Sequence, residues 1–409
     1  MALKAHLRLL VGGCFLVPLL LVALVFWADP LQIFHDQPLE PPLHFRTAGC
    51  WSVPGTIERH FFRRKDKEAV VLGPCFAANM LDQEVALLGG IEKSLSLNIF
   101  AASQYGSAPL YFLKNVPSLK RAVMILLPPF HVLDGRQEDL SKLPRFYDGS
   151  PKFRHLTQIF SASLPYIGKF LLAYFMDTPS VEERKVGTYW FGRCCAEHLP
   201  TKPKDLEKLR SACISRREVI PQIKEFLDTH DLEVVEKRFN TVERSFSYSM
   251  EVMSSMSHVQ FDIIISPCCS AVWASGQEPI LPESIDPELQ NYIGGLLYIL
   301  DHIEAFPNIR LYAFDDVAEI VGNTANYFEQ GHYGIGVNRY ILRSIKAGKH
   351  RITKANVLEY LRRVVTVILN FDPTPDYEHT VTFEGPLTEE SEQAFSRFPP
   401  PTGPSPLLP

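Results

Sequence analysis

Two of the strongest chemical signatures are missing from this sequence. It has no GxxxxGK(S/T) phosphate-cradling loop and no HExxH zinc-binding helix. Accordingly no nucleotide, cofactor or metal is expected. It also lacks a long basic run: 41 Lys and Arg stand against 46 Asp and Glu, a net charge of −5. That balance argues against nucleic acid as the main partner. No period of 20–50 residues repeats, which excludes a solenoid. Cysteine is sparse, at eight residues. The adjacent pairs Cys194–Cys195 and Cys268–Cys269 have neither the spacing nor the nearby histidines of a zinc site. They read as small buried residues. What is present is ordinary for a folded protein: 409 residues, 46% hydrophobic and 21% charged, enough for one large domain or two medium ones.

The N-terminus is the exception. Residues 9–27, LLVGGCFLVPLLLVALVFW, contain no charge, and about 20 apolar residues cross a bilayer as a helix. Lys4 and Arg8 precede the run, while Asp29, Asp36 and Glu40 follow it. The positive-inside rule then keeps the N-terminus cytoplasmic and sends the bulk of the chain outside. A cleaved signal peptide is the rival reading, but Phe26 before Ala28 suits a cleavage site poorly. The expectation is a transmembrane anchor over 1–28, in a cell inner membrane with the bulk of the chain periplasmic. Residues 29–55 form a proline-rich linker, and the proline-rich 372–409 form a disordered tail.

Between these ends the pattern alternates. AVVLG (69–73), SLSLNIF (94–100) and AVMILLPPF (122–130) are short apolar runs bounded by turn residues, hence buried strands. Helical spacing separates them at 77–90 and 107–116. FDIIISP (261–267) and IRLYAFDD (309–316) read as further strands. Helices are expected over 287–306, 335–348 and 353–371, the last with Thr353 as N-cap. Residues 317–334 read as a loop. The fold class is therefore α/β, a three-layer parallel sheet over 56–371 with a helical insertion at about 135–258. Within that insertion, Pro221 is expected to break a helix.

In open α/β sheets, ligands bind beyond the carboxyl ends of the strands. Cys75 follows the first strand and precedes a predicted helix, whose positive end would favour a thiolate. His332 is the natural base, and Glu329, three residues earlier, is placed to orient it. Asp315 or Asp316 are alternative orienting acids. The backbone N–H groups of Cys75 and Phe76, with that of Gly106 after the second strand, are candidates for an oxyanion hole. The bland alternatives are a buried cysteine at a turn, a loop histidine and a turn glycine.

The order VVLGPCFAAN (70–79), Gly106, NYFEQGHYG (326–334) resembles the SGNH (GDSL-like) hydrolase superfamily. The resemblance is closest to its bacterial branch with one N-terminal membrane helix and an extracytoplasmic domain. It also rests on RTAGCWSVPGTIE (46–58) and LPRFYDGS (143–150), and covers roughly residues 45–370. It implies a flavodoxin-like fold and a triad of Cys75, His332 and Glu329, with Gly106 and Phe76 at the oxyanion hole. The implied activity is hydrolysis or transfer of an acyl ester on an envelope glycan or lipid-linked substrate. A membrane-protein partner is a further implication. The sequence departs from the family in two catalytic positions: Cys75 replaces serine and Glu329 replaces aspartate. ISPCCSAVW (265–273) stands where the family's third-block asparagine is expected. These departures keep open a degenerate site on a binding or assembly subunit.

Overall fold

The computed structural model describes residues 16–17, 19–26, 68–73, 85, 88, 94–98, 113, 116–126, 219–239, 252–270, 287–329, 332–372, 374, 376 and 381. The chain divides into two compact units, Met1–Lys65 with Asp139–Lys185, and Asp66–Glu138 with Val186–Pro409.

In the first unit the described residues 16–17 and 19–26 are helical. Their apolar side chains are mostly exposed, Leu19 to 68%. No helix among the described residues is long and apolar enough to cross a membrane.

The second unit holds a sheet of six strands. They are β1 (Ala69–Gly73), β2 (Ser94–Asn98), β3 (Arg121–Leu126), β4 (Gln260–Ile265), β5 (Ile309–Ala313) and β8 (Arg351–Ile352). Their order across the sheet is β2-β1-β3-β4-β5-β8. The first five are parallel, with Ala69 opposite both Ser94 and Arg121, Arg121 opposite Gln260, and Phe261 opposite Ile309. β8 closes the edge antiparallel, with Leu311 opposite Ile352. The order 2-1-3-4-5 is that of a doubly wound sheet whose strand order reverses between β1 and β3.

Burial explains why β1, β3, β4 and β5 are apolar runs. In β1 Ala69 and Val71 join a core with Val123, Ile125, Ile264, Tyr312 and Phe314. Helices α4 (Ala318–Val321) and α5 (Ile335–Lys346) cover that face through Ile320, Val321, Val337, Tyr340 and Ile341. The alternate residues Val70, Leu72, Ala122, Met124, Ile263 and Ile265 are equally buried. A parallel strand covered on both faces cannot show polar alternation. Helix α3 (Pro287–Ile303) joins β4 to β5 and packs on β5. Helix α6 (Val357–Leu369) follows β8.

The described part of the insertion contributes α1 (Val219–Thr229) and α2 (Leu232–Phe239). α1 packs on α6 and α2 on α3. Residues 205–218, the first part of the segment expected to break at Pro221, lie outside the described residues. Pro221 sits in the first turn of α1, where a missing N–H removes no intrahelical bond. Thr353 is not the cap of α6. Asn356 is, while the Thr353 carbonyl accepts the N–H groups of Asn356 and Val357.

At the amino edge of the sheet, Arg121 Nε donates to Asp262 Oδ2 at 2.5 Å. Burial raises the Asp262 carboxyl, and the Arg121 guanidinium opposes the rise. Asn308 ties the same edge together, its amide donating to the carbonyls of Met253, Met256 and Val259.

Candidate functional site

The carboxyl ends of β1, β3, β4 and β5 define the edge where a doubly wound sheet binds its ligands. β1 ends at Gly73, two residues before Cys75. Cys75, Phe76 and Gly106 lie outside the described residues, as do the helices expected at 77–90 and 107–116 apart from isolated positions.

The segment 317–334, read from sequence as a loop, is built from short regular pieces. α4 is followed by a 3-10 turn (Thr324–Asn326) and a hairpin of β6 (Tyr327–Glu329) and β7 (His332–Tyr333). Glu329 and His332 are direct partners in that ladder, as are Tyr327 and Tyr333. Only Gln330 and Gly331 connect the strands. The backbone therefore brings together the proposed base and its orienting acid.

The hairpin is docked by its tyrosines. Tyr327 Oη donates to the carbonyl of Pro267 at 3.2 Å, and Ser266 Oγ lies 3.4 Å from Tyr333 Oη. Both partners follow β4 directly, and the Ser266 N–H extends the β3–β4 ladder to the Leu126 carbonyl at 2.8 Å. The two rings meet edge to face at 6.2 Å. Asn326 holds the base of the hairpin. Its amide donates to the carbonyls of Glu319 and Ile320, its Oδ1 accepts from the Val381 N–H, and its carbonyl accepts from the Gly334 N–H. The segment Ser266–Ser270 is buried throughout and supplies this dock. Cys268 and Cys269 within it are buried, in keeping with their reading as small packing residues.

Asp315 and Asp316, the alternative orienting acids, have other partners. Asp315 is buried at the end of β5. Its Oδ1 accepts the Cys268 N–H at 3.2 Å, and its Oδ2 accepts the hydroxyls of Tyr292 at 2.9 Å and Tyr360 at 3.4 Å. The two phenols are themselves 2.5 Å apart. Burial raises the Asp315 carboxyl from 3.8 to about 7, against the opposing pull of those hydrogen bonds. Burial also pushes both phenols well above their ordinary value, so they remain donors. The cluster ties α3 and α6 to the end of β5. Asp316 Oδ2 accepts from Arg363 Nε at 3.0 Å, and its Oδ1 faces His350 Nδ1 at 3.8 Å.

This tyrosine–carboxyl cluster was not legible in advance. Tyr292 and Tyr360 sit on the buried stripes of amphipathic helices, where an aromatic reads as packing. The paired acids right after a buried strand were the one available signal. Among the described residues no group of three His, Cys, Asp or Glu is arranged to hold a metal. The chain matches no family model, no curated protein and no solved structure.

Proposed function

We propose that the chain is a membrane-anchored, SGNH-like acyl esterase or acyltransferase whose α/β unit works outside the cytoplasm. Its substrate is an acylated envelope glycan or a lipid-linked acyl donor. The thiolate of Cys75 attacks the acyl carbon and the ester C–O bond breaks. The alkoxide leaves with the proton that His332 took from the thiol. A thioester remains, and water or an acceptor hydroxyl then attacks its carbonyl carbon, giving its proton to His332. The C–S bond breaks, the acid or new ester departs, and Cys75 leaves as the thiolate that His332 reprotonates. Glu329 aligns the imidazole, and the N–H groups of Phe76 and Gly106 receive the oxyanion.

The observation that carries this reading is the pairing of Glu329 with His332 on a hairpin docked beyond the carboxyl end of β4. β1, which leads into Cys75, ends at the same edge two strands away, a lateral separation of about 10 Å. Loop and side-chain reach can close that gap.

The test is acyl-enzyme trapping. Full-length chain in detergent micelles is mixed with p-nitrophenyl acetate and its mass is read at short times. The expected result is one acetyl group on Cys75, absent in Cys75→Ala. Acylation of His332→Ala should be slower by about 10²-fold or more. No acylation of the wild type, with activity gained in Cys75→Ser, would replace the cysteine mechanism with a degenerate serine site. Inactivity of both would leave a binding or assembly subunit.

A further inference from the structure

A second polar site lies at the outer edge of the sheet, where β5 meets β8. A cavity of about 130 Å³ is lined by Asp316, His350, Arg351, Asn356, Tyr360 and Arg363. It has room for several waters or one small ion.

Its chemistry is asymmetric. The Asp316 side chain is only 2% exposed, and its Oδ1 is buried without a hydrogen-bond partner. The other oxygen is taken by Arg363, which also reaches Glu359 Oε1 at 3.5 Å. The nearest group to Oδ1 is His350 Nδ1, at 3.8 Å too far for a hydrogen bond. His350 cannot easily turn toward it. Its Nε2 is 3.0 Å from Tyr340 Oη, its ring lies on Phe314, and its backbone has φ 59°. A non-glycine residue in that region is held there by its surroundings. So one buried carboxylate oxygen awaits a donor.

Positive charge stands opposite. Arg351 is exposed and has no ion-pair partner among the described residues. Arg363 is shared between Asp316 and Glu359. The cavity also borders the N-terminus of α6, a 13-residue helix with no side-chain cap. The Asn356 amide is used elsewhere, its Oδ1 accepting the Thr353 N–H and its Nδ2 donating to the Arg351 carbonyl. Arginine and a helix N-terminus recruit an oxyanion, although here the Val357 N–H is already taken by the Thr353 carbonyl. The buried acceptor adds a requirement that this anion carry a proton.

We propose that this cavity binds a phosphate group that retains a proton. The P–O–H donates to Asp316 Oδ1, and the charged oxygens face Arg351, Arg363 and the start of α6. Free hydrogenphosphate carries this proton near neutral pH, and a phosphate monoester carries it as its monoanion. Sulfate has the same shape but no proton near neutral pH, so its oxygen would face the carboxylate unbridged. Discrimination between the two anions is the mark of the site.

The experiment is isothermal titration of the full-length chain in detergent with inorganic phosphate, sulfate and glycerol phosphate at pH 7. Phosphate should bind at least about ten-fold tighter than sulfate. Arg351→Gln, at an exposed position, should weaken phosphate by a similar factor with an unchanged circular-dichroism spectrum. Asp316→Asn, if its melting remains cooperative, should erase the preference over sulfate. Glycerol phosphate binding as well as inorganic phosphate assigns the site to a monoester; much weaker binding assigns it to the free ion. No saturable heat below about 10 mM phosphate, equal affinity for sulfate, or an indifferent Arg351→Gln each overturns the proposal.

Discussion

Asp315 sits in an environment that moves it far from its ordinary chemistry. Burial raises its carboxyl to about 7, while an unfolded chain would titrate near 3.8. Between those values the native state holds a proton that the unfolded state has released. Unfolding free energy therefore falls as pH rises from about 4 to about 7, and levels off above. A shift of that size corresponds to on the order of 4 kcal/mol. The melting temperature of the wild type should drop across this window. Asp315→Asn, which keeps an acceptor for Tyr292 and Tyr360, should flatten the profile. A wild-type profile as flat as the variant's would show that the carboxyl does not titrate there. Three acids that look alike in sequence have different partners. Asp315 is held by phenols, Asp316 by Arg363, and Glu329 pairs through the backbone with His332.

Among the elements, α1 shows how a segment of the insertion is fastened. Arg362 on α6 donates through Nε and Nη2 to the Leu227 carbonyl, at 3.0 and 2.8 Å. Leu227 lies in the last turn of α1, where carbonyls lack intrahelical partners. The guanidinium therefore caps one helix from the side of another. Arg362→Ala should cost about 1–2 kcal/mol. By hydrogen-exchange mass spectrometry, amides over 219–229 should exchange faster, while those of β4 should not change. Unaltered protection of α1 would mean the cap is dispensable. The 317–334 segment makes the complementary point. β6 and β7 have three and two residues, too few for a period to register, and only their docking on Ser266 and Pro267 makes them a hairpin. β8, also two residues long, escaped the sequence for the same reason.

For the molecule as a whole, the membrane reading is the most consequential and the easiest to test. On the proposed topology, in which Lys4 and Arg8 keep the N-terminal side of the apolar run in the cytoplasm, an alkaline-phosphatase fusion after residue 45 should be active in a bacterial host. An inactive fusion would overturn both the topology and the compartment in which the proposed acyl chemistry takes place.

The sequence by itself made legible the α/β class and the existence of the five parallel strands, although the runs read for β3 and β5 extend four and three residues past the strands themselves. Strands buried on both faces must be continuous apolar runs, and these are visible without any knowledge of neighbours. It also singled out EQGH as a unit, and the two-residue connection makes Glu329 and His332 neighbours in any hairpin. Tertiary structure alone decided the rest. Strand order, the antiparallel edge at β8, the dock of the hairpin on the end of β4 and the partners of Asp315 and Asp316 all join residues far apart in the chain. Such contacts leave no local period. They follow from how buried polar groups satisfy one another once the sheet has closed around them.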